Sequence, residues 1–140
     1  MRNNKGFTLV EILAVVVILG ILGILAVAAY SKYLESAKYN AYNTLAKSAA
    51  NAAEEYKMVH FNTETVTIED LVETQYLENR NDPGDKQKKC TGVVEIINSQ
   101  NHDGIDTARY EVILRCTSYE KKYCFPKGTI IDLDEDCPEE

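Results

Sequence analysis

The first 89 residues contain no cysteine, and neither glycine nor proline stands between Gly23 and Pro83. The first absence keeps any disulfide framework out of the N-terminal part. The second leaves a long stretch without a helix breaker. Charge is missing from Ile12 to Ala29, eighteen residues drawn only from Ile, Leu, Ala, Val and Gly. Positive charge is scarce elsewhere: 15 Lys and Arg against 22 Asp and Glu give a net charge of -7. Residues 1 to 30 carry +1 from Arg2, Lys5 and Glu11, which leaves -8 for the remainder. An acidic chain of this kind lacks the basic surface on which bulk phosphate recognition rests, so no nucleic-acid partner is inferred. At 140 residues a large multidomain enzyme is excluded as well.

The apolar run has three readings: a cleaved secretory signal, a membrane span and a buried core helix. Eighteen residues at about 1.5 Å each give about 27 Å, close to the thickness of a bilayer core and longer than an ordinary signal core. A span is the expectation, although Ala26-Val27-Ala28 mimics a small-residue signal-peptidase site. Arg2 and Lys5 before the run place the N-terminus in the cytoplasm by the positive-inside rule, with the polar part outside.

Beyond the run, Tyr30, Leu34, Ala37, Ala41, Leu45, Ala49, Ala52, Tyr56 and Val59 recur at steps of three and four. This spacing predicts one helix from about Thr8 to His60, apolar all round in its first half and amphipathic in its second. Phe61 to Val66 reads as a connection, and Thr67-Ile68-Glu69-Asp70 as a cap for a short helix from Ile68 to about Leu77. Asn81-Asp82-Pro83-Gly84 marks a loop between Asn79 and Lys89. Strands are expected over Thr91 to Ile97 and Ala108 to Arg115, with the turn within Asn101 to Asp106 around Gly104. Shorter ones follow at Tyr119 to Phe125 and Thr129 to Leu133. If Cys90 faces Cys116, Val94 meets Val112, Ile96 meets Tyr110, and the even positions form one apolar face. That register sets Glu95 against Glu111, a like-charge cost to be relieved by solvent or a bulge.

The most specific feature is Lys5-Gly6-Phe7-Thr8-Leu9-Val10-Glu11 running straight into the apolar span. It resembles the processing and assembly motif of type IV prepilins and pseudopilins: a basic leader, Gly before the cut, Phe after it and Glu four residues on. The resemblance implies cleavage between Gly6 and Phe7 by a prepilin peptidase, N-methylation of Phe7, and pairing of its amine with Glu11 of a neighbouring subunit. A charged residue within a span costs about 2.5 to 3.5 kcal/mol on insertion scales, so Glu11 wants such a cation. In the family a proline commonly stands where this chain has Ala28, leaving Gly20 and Gly23 as the local helix weakeners.

Cys90, Cys116, Cys124 and Cys137 form no CxxC pair, and their spacing matches no common zinc site. Disulfides outside the cytoplasm are expected instead. Of three connectivities the hairpin favours Cys90 with Cys116, leaving Cys124 with Cys137, a bridge similar in placement to the disulfide-bounded region of many pilins. Asp132, Asp134 and Asp136 match the first ligands of a calcium loop, but Cys137 stands where its glycine belongs. They read as a solvated tail, with no metal or cofactor expected. His60 and His102 have no catalytic arrangement around them in the sequence, so no enzymatic activity is expected. Tyr30, Tyr33, Tyr39 and Tyr42 read as packing along a helix that passes from membrane to head.

The sequence thus describes an α+β chain with a pilin-like layout. A leader at 1–6, an assembly half of the helix at 7–30, an amphipathic half at 31–60 and a two-disulfide head at 61–140 are the expected parts. The expected role is a structural subunit of a type IV pilus or related filament. Its partners would be other pilin subunits, the prepilin peptidase, the cytoplasmic membrane and the assembly platform, and the assembled filament would lie at the cell surface. Two alternatives stand beside it: a pseudopilin of a type II secretion or competence DNA-uptake machine, and a membrane-anchored binding head that never polymerises.

Overall fold

The computed structural model describes residues 6–100 and 106–138; the expected turn around Gly104 and the leader residues Arg2 and Lys5 lie outside them. The elements, in chain order, are α1 (Leu9–Val59), β1 (Thr65–Thr67), α2 (Ile68–Glu73), β2 (Thr91–Gln100), β3 (Asp106–Arg115), β4 (Glu120–Phe125) and β5 (Thr129–Ile131). The fold is α+β: a long N-terminal helix packed on a five-stranded antiparallel sheet of order β1-β2-β3-β4-β5. Two compact units divide the chain, one ending at Ala37 and the other running from Lys38 to the C-terminus.

Within the first unit α1 is apolar and uncovered, with Ile12, Leu19 and Leu25 all more than half exposed. In the second unit α1 packs through Tyr42, Ala46, Ala49, Ala50 and Ala53, residues spaced at three and four on one face. This face shares Ala49 and Ala52 with the expected stripe, both buried, and is rotated from it elsewhere. Ala41 and Leu45 sit half-buried on its flank, while Tyr30 and Leu34 lie in the uncovered unit. Alanines occur on both faces, so hydropathy alone did not separate them. The face that also carries Tyr42 is the one the sheet covers.

The hairpin has the register set by facing cysteines: Val94 pairs with Val112 and Ile96 with Tyr110. Even positions Val94, Ile96, Val112 and Leu114 are buried, and Tyr123 of β4 joins them opposite Val112. Glu95 does face Glu111, yet the ladder runs through without a bulge. The relief comes from Arg109, two residues along the same face, whose Nη2 lies 3.3 Å from Glu111 Oε1. Gly92 makes the close approach of β3 and of α2 possible: a Cβ there would stand 2.1 Å from the Ile113 carbonyl oxygen and 2.8 Å from Ile68 Cδ1.

Two expectations are corrected near α2. Thr65 to Thr67, read as connection and cap, forms a three-residue strand paired with Val93 to Glu95. The helix also ends at Glu73 and not near Leu77, because Gln75 takes φ 65° and its N–H bonds to Val72 O, three residues back, out of the helical pattern. Leu77, brought round by that turn, donates its N–H to Leu71 O and is buried. Thr67 does cap α2, its hydroxyl accepting from Asp70 N–H at 3.1 Å and donating to Asp70 Oδ2 at 2.7 Å.

Candidate processing segment and head anchor

The start of α1 is built from Thr8 and Glu11. Thr8 N–H donates to Glu11 Oε2 at 2.8 Å, and the Thr8 hydroxyl donates to the same oxygen at 3.1 Å. In return Glu11 N–H reaches Thr8 Oγ1 at 3.3 Å. This reciprocal arrangement is a capping box, which satisfies backbone donors that a helix start would leave open. Its signature, Thr-x-x-Glu before an apolar run, was in the sequence. The carboxylate therefore has a partner within its own chain while remaining exposed.

Phe7 precedes the cap and is 84% exposed, and a Cβ added at Gly6 would meet no atom within 4 Å. Packing within this chain therefore gives no reason for glycine at position 6. Leu9 to Val59 is a helix long and apolar enough to cross a membrane. Residues 1–30 carry the prokaryotic N-terminal methylation motif. That motif is characteristic of prepilin-type cleavage in type IV pilins and pseudopilins, and it spans Gly6, Phe7, Thr8 and Glu11. No curated protein and no solved structure matches the chain.

Downstream of the methylation motif, the disulfides Cys90–Cys116 and Cys124–Cys137 close the head, with Cα separations of 4.3 and 5.8 Å. The first joins the β2 entry to the β3 exit, continuing the hairpin register. Cys124 lies opposite Glu111 on the sheet face away from the buried even positions, so its bridge holds Cys137 against that face. Both Cys124 and Cys137 are buried.

Asp82, read from the sequence only as part of a turn, is a buried anchor. Its carboxylate accepts from the Tyr42 hydroxyl at 3.0 Å, from Gly84 N–H at 2.7 Å and from Thr117 N–H at 2.9 Å. It ties α1, the loop and the chain after β3 together beside the first disulfide. Burial alone would raise its carboxyl; the amides of Thr117 and Gly84, the Thr117 hydroxyl and the Tyr42 phenol outweigh that and hold it below 3.8. Tyr42 is pushed up from 10.0 to about 12 by burial, and further by its bond to Asp82 and that group's charge. Its ring stacks on Tyr119 at 4.0 Å, and Tyr119 shares a 2.6 Å hydroxyl contact with buried Tyr123.

Asp82 and the sulfurs of Cys90 and Cys116 lie within 4.8 Å of one another. The sulfurs are bonded to each other, so they offer no thiolates to a metal. In the acidic tail Asp132 pairs with Lys121, while Lys122 donates to Glu135 O at 2.8 Å. Among the described residues the Asp132, Asp134 and Asp136 carboxylates do not form a convergent ligand group. His60 stacks on Tyr56 at 4.1 Å, and His102 lies outside the described residues.

Proposed function

We propose that this chain is a structural subunit of a type IV pilus. It is anchored at first by the apolar part of α1, cut between Gly6 and Phe7 by a prepilin peptidase, and methylated on Phe7. It then assembles with other copies through the same part of α1. The observation that carries this reading is the methylation motif over residues 1–30, which takes in the start of a helix whose large apolar side chains up to Val27 are all uncovered. Each such side chain gains about 1.5 to 3 kcal/mol when taken out of water. A membrane covers them in the precursor, and neighbouring helices cover them in the filament.

Cleavage removes Arg2 and Lys5 and creates an amine on Phe7. Glu11 of an adjoining subunit then meets a cation in a poorly solvated setting, where the pair is stronger than in water. The Thr8–Glu11 cap holds the carboxylate in the meantime. Glu11→Val tests this directly. The precursor should still insert and be cut, while sheared filaments counted by electron microscopy with antibody to the head should fall at least ten-fold. Normal filament abundance with Val at position 11 would refute the assembly contact. Label confined to the cell envelope in the wild type, with no long filaments, would assign the chain to a pseudopilin machine instead.

A further inference from the structure

The head carries a groove of about 670 Å³ between the flank of α1 and the chain that follows α2. Ala41 and Leu45, half-buried on that flank, line its α1 side together with buried Ala52. Its volume falls in the range of small-ligand sites. The walls are polar. Asn51 and Glu55 line the groove from α1, and Asn79, Asn81, Glu78 and half-buried Tyr76 from the chain after α2, where Asn79 Oδ1 also accepts from Asn81 N–H at 3.3 Å.

The chemistry of this lining selects a ligand class. Side-chain amides donate and accept together, which suits hydroxyl groups that do the same. An aromatic ring offers a face to the apolar side of a sugar. No Lys or Arg lines the groove, so phosphate polymers and nucleic acid meet two carboxylates and no counter-charge. A peptide in extended form would need free backbone groups, whereas one wall is a helix whose backbone is already bonded. Neither Glu55 nor Glu78 has an ion-pair partner among the described residues.

We propose that this groove binds a saccharide bearing amino groups, with Asn51, Asn79 and Asn81 holding hydroxyls, Tyr76 stacking on a ring and Glu55 with Glu78 pairing the ammonium. The site belongs to the head alone and does not depend on how the subunit assembles. The test is isothermal titration of the full-length protein, in a detergent without a sugar headgroup, with a trimer of glucosamine. Saturable binding is expected, at least ten-fold tighter than for the N-acetylated trimer. A variant with Glu55→Gln and Glu78→Gln should lose that preference, and one with Asn51→Ala and Asn79→Ala should weaken both trimers at least five-fold. These side chains are exposed, and an unchanged melting curve for each variant shows that the head is intact. Absence of binding by either trimer overturns the proposal. Equal binding of spermidine, which has charge but no hydroxyls, overturns it too by showing attraction of cations alone.

Discussion

The two parts of α1 differ in what they ask of their surroundings. Up to Ala29 the helix presents Ile, Leu, Val and Ala on every side, and no described residue covers them. From Lys38 onward the same helix presents alanines and Tyr42 to a sheet, and those side chains are almost fully buried. The head half completes its burial within one chain, with two disulfides and a buried carboxylate reinforcing a small core. The other half has no such cover among the described residues. One helix therefore carries two kinds of surface, and the change lies in side-chain size and polarity, not in backbone geometry.

The largest contrast should come from truncating a leucine on each side. Leu114→Ala removes a fully buried side chain and should cost about 2 to 5 kcal/mol of head stability by chemical denaturation in micelles. Leu19→Ala, at a position 61% exposed, should leave the head's unfolding curve unchanged. A comparable loss from both would mean that the two parts are not independent in stability. Next in size is Cys90→Ser with Cys116→Ser. A bridge across a sequence separation of 26 should contribute about 3 to 4 kcal/mol, so the melting temperature should fall by more than about 10 °C. The helical circular dichroism of the apolar half should persist.

Asp82 sharpens the comparison, since it exists only on the buried side. Asp82→Ala leaves the Tyr42 hydroxyl and two amides without their acceptor and should cost about 2 to 3 kcal/mol. Its folded carboxyl sits below the ordinary 3.8, so its stabilising increment is full above that value and is lost as pH falls through the folded one. Denaturation across acid pH should show this limb in the wild type and a flatter one in Asp82→Asn. Tyr42 has the opposite sign: its increment is complete below pH 10.0 and disappears as pH rises through about 12. Tyrosinate absorbance should therefore show a late-titrating phenol that Tyr42→Phe removes. The smallest effect is expected at the helix start, where Thr8→Ala breaks the capping box at a cost of about 1 kcal/mol. Amide exchange in the first turn should quicken while the head is unchanged.

Much of the fold could be read from the residues because several signals agreed. The hairpin register followed from two cysteines flanking two strands of alternating polarity, and the extent of α1 from an apolar run continued by a stripe at steps of three and four that ends at Val59. The buried face of α1 was harder, since Ala41 and Ala49 look alike until the sheet is in place. Strand β1 is three residues long, too short for alternation to register, and its pairing depends on β2. The stop at Gln75 needed a positive φ that sequence rarely announces for glutamine. Asp82 was hidden by its own turn signal: Asp-Pro-Gly predicts a loop equally well whether the carboxylate faces water or a buried phenol.

Cleavage between Gly6 and Phe7 is tested most directly by intact-mass measurement of the chain purified from its native membrane and filaments. A mature chain beginning at a methylated Phe7 is the predicted result. A chain that begins at Ala29, with the apolar half of α1 removed, would contradict it, because the uncovered helix would then be a secretion signal and no subunit contact could be built from it.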